Sequence, residues 1–175
     1  MRHWFVFVAL LVVSTAAAQN DVFSFMPEGG RTILTNLLQS DPAFSALLND
    51  EQPSEGWKES FDSPDLGAAS TLDDWQRQTL ADYLAYTGSI ADTTDLPWDG
   101  RDMTLERCQS CHIVTVVVTQ SRTREAWLGT MNKPSHIEVP LTEAERMQLA
   151  DYLVVNAGLP IDAIPPELRA GGASY

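Results

Sequence analysis

Cysteine is scarce in this chain of 175 residues: Cys108 and Cys111 are the only two. With no spare thiol, neither a separate disulfide nor a sulfur-rich metal site can be built. Basic residues are also few, 11 Lys and Arg against 24 Asp and Glu, for a formal net charge of -13. That balance argues against nucleic acid as a partner. It suits steering towards a basic docking patch, and equally well serves solubility alone. Strand signals are nearly absent; the single β-branched run, residues 113–119, reads as extended or helical. No activated nucleophile, carboxylate pair or phosphate-binding loop stands out, so nothing points to hydrolysis or group transfer.

Long apolar runs are lacking beyond the N-terminus. Met1-Arg2-His3 gives a short positive start, residues 4–13 are apolar but too short to span a bilayer comfortably, and Ala16-Ala17-Ala18 has the small-residue pattern of a cleavage site. Residues 1–18 read as a secretory signal peptide, with the mature chain beginning at Gln19. The competing reading is an uncleaved N-terminal anchor. Removing the signal takes away Arg2 and no acid, leaving the chain one unit more negative. The expected location is the periplasm, with no membrane span after cleavage.

What the chain does have is Cys108-Gln109-Ser110-Cys111-His112. Two thiols three residues apart on one turn can each add to a vinyl group of the same porphyrin, and the adjoining imidazole then lies under the iron as proximal ligand. A thioredoxin-like CxxC would need a strand-then-helix context, and a zinc site a second ligand pair. The expected cofactor is therefore one covalent haem c on Cys108 and Cys111, with His112 as proximal iron ligand.

Leu80-Ala81-Asp82-Tyr83-Leu84 recurs unchanged as Leu149-Ala150-Asp151-Tyr152-Leu153. Each copy closes an amphipathic segment, residues 72–86 and 141–155, and each is followed by a glycine, Gly88 or Gly158. Sliding the chain on itself from this anchor, with one residue of slack, sets Trp57 on Trp127, Glu55 on Glu125, Pro64 on Pro134 and Gln39-Ser40 on Gln109-Ser110. Leu38, Asp41 and Pro42 then stand where Cys108, Cys111 and His112 stand. The fold expected is all-α, in which residues 19–95 form a helical domain, readable as a degenerate haem-free copy, and residues 96–160 the haem domain. The other reading has two helical hairpins that merely share a helix ending. Residues 93–100 read as a linker, and residues 161–175, with Pro165-Pro166 and Gly171-Gly172, as a tail over the domain.

The Cys108 to His112 motif, the Gln120, Arg122, Thr123 and Trp127 pattern after it, and the closing helix with Tyr152 resemble the small class I cytochrome c domain, in the short form associated with periplasmic dehydrogenases. The resemblance covers residues 100–158 and implies that Trp127 and Tyr152 pack near the haem. It also implies a distal ligand from a loop before the last helix. His136, in a segment 135–140 read as extended, has the family's spacing from the Leu149 helix and is favoured. Met131 is the alternative, although it lies far upstream and one turn after Trp127, where it can simply continue a buried helix face stopped by Pro134. Phe61 and Leu66 stand opposite Met131 and His136 in the first half, and Met147 reads as core. The function implied is one-haem electron transfer between a dehydrogenase donor and a cytochrome or oxidase acceptor, not an enzyme. The alternative is a haem enzyme or ligand sensor with an open distal site.

Overall fold

The computed structural model describes residues 22–64 and 66–169. The expected signal peptide, the start at Gln19 and the last six residues of the tail lie outside the described residues. Among the described residues every regular element is helical and none is a strand. No helix there is long and apolar enough to cross a membrane.

Helix α1 (Gly30–Ser40) leads into a 3₁₀ helix (Pro42–Asn49), α2 (Ser54–Phe61) and α3 (Asp74–Thr87). The second half consists of α4 (Gly100–Met103), a π-helical turn (Thr104–Cys108), α5 (Thr115–Val118), α6 (Arg124–Met131) and α7 (Glu143–Asn156). The two long helices begin two residues later than the apolar pattern predicts because Asp73 and Thr142 take the cap positions. Each accepts the N–H three residues on, from Gln76 or Glu145, whose side chain bonds back to the cap backbone. Leu72 and Leu141 are left outside. Gly88 and Gly158 adopt φ of 67° and 87°, which releases the chain at the far ends at no Cβ cost. The β-branched run is helical at α5, with Val114, Val117 and Val118 buried and Ile113 and Val116 exposed. Burial at helical spacing overrides the β-branched preference there.

In both halves the first and middle helices pack on the closing one: α1 and α2 on α3, α4 and α6 on α7. Helices α3 and α7 pack on each other and join the halves. Both first helices approach their partner through a glycine. A Cβ on Gly30 would stand 2.3 Å from Tyr83 Cβ, and one on Gly100 2.1 Å from Tyr152 Cβ. The tyrosine hydroxyls then cross over, Tyr83 donating to the Pro97 carbonyl at 2.9 Å and Tyr152 to the Pro27 carbonyl at 3.0 Å. Gly100→Ala is expected to cost about 3 kcal/mol through this overpacking, read as a lower urea midpoint with an unchanged slope.

The segment expected as a linker is built into the join. Asp99 is 3 % exposed, and its carboxylate accepts the N–H groups of Asp102 and Arg31, each at 2.9 Å, so that one side chain caps α4 and α1 together. Burial, with the neighbouring Asp102 charge, holds the Asp99 carboxyl above its usual pKa. Residues 22–27 pack on the second half, where Met26 shares a cluster with Val114, Val118 and Ile164 of the tail. The described part of the tail thus lies over the domain as 3₁₀ turns, with Ile164 as its anchor.

The two interiors differ. In the first half Phe44, Trp57 and Phe61 are fully buried, with the two phenylalanine rings 6.0 Å apart, and the core closes on side chains alone. In the second half the corresponding cluster borders a cleft.

Candidate haem site

Helix α4 runs on into the five-residue π turn Thr104–Cys108, with the Gln109 N–H reaching the Thr104 carbonyl at 3.3 Å. A π turn advances each side chain by a smaller angle than an α turn, and such turns mark functional positions in helices. Cys108 is thereby half-buried against the second core, while Cys111 is exposed at the mouth of the cleft. The Cys111 and His112 N–H groups both return to the Cys108 carbonyl, at 3.3 and 3.1 Å, which folds the motif into one turn. All three motif residues line the same cleft, which encloses a cavity of about 100 Å³ and opens to solvent. Its walls are mainly apolar: Val117 of α5, Trp127 and Met131 of α6, Val139 and Leu141 of the following segment, and Leu149 and Leu153 of α7.

Burial, and behind it the nearby Cys111 thiol, pushes the Cys108 thiol from 9.0 up to about 11. The unfolded chain therefore gives up this proton first. Stability from the buried thiol is complete below the unfolded value and is lost as pH rises from 9 through about 11. In the haem-free chain, chemical denaturation on either side of this window should show that loss, and Cys108→Ala should remove it.

His136 also lines the cleft, its ring centroid 5.9 Å from that of His112 and the ring planes 29° from parallel. Two imidazoles sharing one metal ion through one nitrogen each have centres roughly 6 Å apart, from a metal–nitrogen bond of about 2 Å. The Ser135 hydroxyl lies 3.0 Å from His136 Nδ1, which leaves Nε2 for a ligand role. The chain around His136 is not extended as the proline-rich pattern suggests. Helix α6 stops at Met131, before Pro134, and residues 132–139 form consecutive turns, with the His136 and Ile137 N–H groups both on the Lys133 carbonyl at 2.8 and 2.9 Å. Pro134 cannot supply an N–H, and its neighbours satisfy the backbone locally.

Met131 also lines the cleft, but it is 8 % exposed within a core cluster that includes Trp127, Leu149 and Leu153. Trp127 is 4 % exposed, its indole N–H has no partner, and the Arg122 guanidinium lies 5.1 Å over its ring. Arg107 Nε is likewise buried and unpartnered. Tyr152, expected beside the cofactor, does not line the cleft. On α7 the cleft face is Arg146, Leu149 and Leu153, whereas Tyr152 is turned to Gly100 and Pro27 by the close helix crossing. Met147, expected in the core, is 40 % exposed, because Arg146 and Gln148 take the inward places beside it.

Arg146 is the cleft residue that sequence reasoning passed over. It is 6 % exposed, and its guanidinium donates to the carbonyls of Met131 at 2.5 Å, Val139 at 2.9 Å and Ile137 at 3.2 Å, with that of His136 at 3.5 Å. A charge on the apolar 146–149–153 stripe of the closing helix was the available signal.

Among the described residues no three His, Cys, Asp or Glu side chains converge on one metal position. The thiols of Cys108 and Cys111 and the imidazoles of His112 and His136, which line one cleft, are donor types that can hold a haem. The unpartnered Trp127 and Arg107 N–H groups suit a ligand that carries carboxylates. No family model, curated protein or solved structure was found to match this chain.

Proposed function

We propose that the chain would hold one haem c through Cys108 and Cys111, with the imidazoles of His112 and His136 as the residues that would bind its iron. Its role in this reading is that of a one-electron carrier in the periplasm, between a dehydrogenase and a second cytochrome or an oxidase. The observation that carries the reading is the pair of imidazoles 5.9 Å apart over an apolar cleft lined by both motif thiols. When bound, the group supplies an iron that exchanges a single electron.

The chain's own residues account for the rest. The π turn and the Cys108 carbonyl hold both thiols on one turn, as two thioether bonds require. Leu149, Leu153 and Val117 give the cleft apolar walls, and His136 would occupy the ligand position that exogenous molecules need. A carrier needs little more, because electron transfer asks for a saturated iron near the surface and no acid–base machinery.

The first half fits the haem-free copy. Its Gly30–Tyr83 crossing parallels Gly100–Tyr152, Leu38, Asp41 and Pro42 stand in the motif positions, and Phe44 and Phe61 complete its core. The test is expression of the full chain in a periplasm equipped for haem attachment. Acid–acetone should leave one haem per chain bound, and the oxidised protein should give the low-temperature paramagnetic spectrum of bis-imidazole iron. Complete extraction of the haem would sink the assignment, and immediate carbon monoxide binding would favour the open-site enzyme or sensor.

A further inference from the structure

We propose that Arg146 is the positioning residue for the distal imidazole, a clamp on α7 that holds the His136 loop closed over the cleft. This rests on the reading of His136 as a ligand. Residues 132–139 make only local turns of their own, and the side-chain bonds reaching their carbonyls from another element come from Arg146. The planar guanidinium spreads its donors over both ends of the loop, Met131 at the start and Val139 at the finish, with His136 between them. It is nine-tenths buried, and its charge faces these carbonyls, with no ion pair to a carboxylate among the described residues.

The first half shows this position with a different partner. Arg77 and Arg146 each stand three residues before the repeated Leu-Ala-Asp-Tyr-Leu. Arg77 also reaches the end of its middle helix, bonding the Lys58 carbonyl at 3.3 Å, but its charge is taken by an ion pair with Asp62. One residue past the end of α6, where α2 is followed by Asp62, the second half has Asn132. With that carboxylate gone, the same arginine turns to the carbonyls of the segment carrying His136. The change of partner coincides with the half that has the CxxCH motif and the cleft.

The test uses the full chain with haem attached and reads the spin state of the oxidised protein, the carbon monoxide association rate of the reduced protein, and the helical far-ultraviolet signal. Arg146→Met is expected to keep its haem and helices, shift towards high spin and bind carbon monoxide about ten- to a hundredfold faster, the factor set by losing charge-assisted hydrogen bonds. Added imidazole should restore its low-spin spectrum, as it should for His136→Ala. Arg146→Lys, which keeps the charge and loses the fork, should fall between parent and Met variant. Asp73→Ala, which removes the cap of α3, should lower the melting temperature without moving the carbon monoxide rate. If both Arg146 variants bind carbon monoxide at the parent rate, the clamp is wrong while His136 ligation stands. If Arg146→Met does not fold, a parent-like rate in Arg146→Lys overturns the clamp and a faster rate supports it. A low-spin, carbon monoxide-inert His136→Ala overturns the ligation reading itself.

Discussion

Replacing Cys108 and Cys111 together by alanine is expected to abolish haem that survives acid–acetone extraction, and each single variant to keep at most one thioether link with greatly reduced holoprotein. The structure adds where the damage should fall. The first half closes its core on Phe44, Trp57 and Phe61, whereas the core of the second half borders a cleft lined by Cys108, Cys111 and His112. A small domain whose core includes its cofactor has little else to bury, so cofactor binding and folding are one free energy. Hydrogen exchange in the double variant should therefore accelerate in α6 and α7, while α1 to α3 keep more of their protection. Equal loss in both halves would show that the α3–α7 contact and the shared Asp99 cap make them one cooperative unit.

The second large effect is expected at His136. His136→Ala should turn the oxidised protein high-spin and open it to carbon monoxide. His136→Met should raise the reduction potential on the order of 0.1–0.2 V, a fraction of the ~0.8 V span that axial ligands cover, because a thioether favours ferrous iron. Met131→Leu should disturb packing around Trp127 and Leu149 and leave the low-spin spectrum intact. The opposite outcome, loss of a sulfur-to-iron band in Met131→Leu with no change in His136→Ala, would make Met131 the ligand. The 5.9 Å between the two imidazoles and the core position of Met131 argue for the first result.

Much of the site was legible from short-range pattern. The spacing of Cys108, Cys111 and His112 is itself the chemistry, since one turn of chain brings three donors to one place whatever the rest does. The closing helices were legible because apolar periodicity and a terminal glycine are local signals; the two-residue error at their starts came from Asp73 and Thr142, whose capping role depends on which N–H groups are left free. The helical α5 was ambiguous because Val, Ile and Thr serve strands and helices alike until burial decides.

Sequence alone thus determined the helical class, the recurring Leu-Ala-Asp-Tyr-Leu segment and the CxxCH spacing, because each is written in separations of a few residues. The tertiary structure decided which side chains face the cleft. Tyr152 was drawn away by the crossing at Gly100, and Arg146, one residue before an exposed methionine, was turned inward to a loop that no pattern predicts. It also brought His136 and His112, 24 positions apart in the chain, to within 5.9 Å of each other in the lining of one cavity. The reason is physical: helix periodicity fixes which residues share a face, but what that face meets depends on the path of loops whose carbonyls carry no side-chain signature.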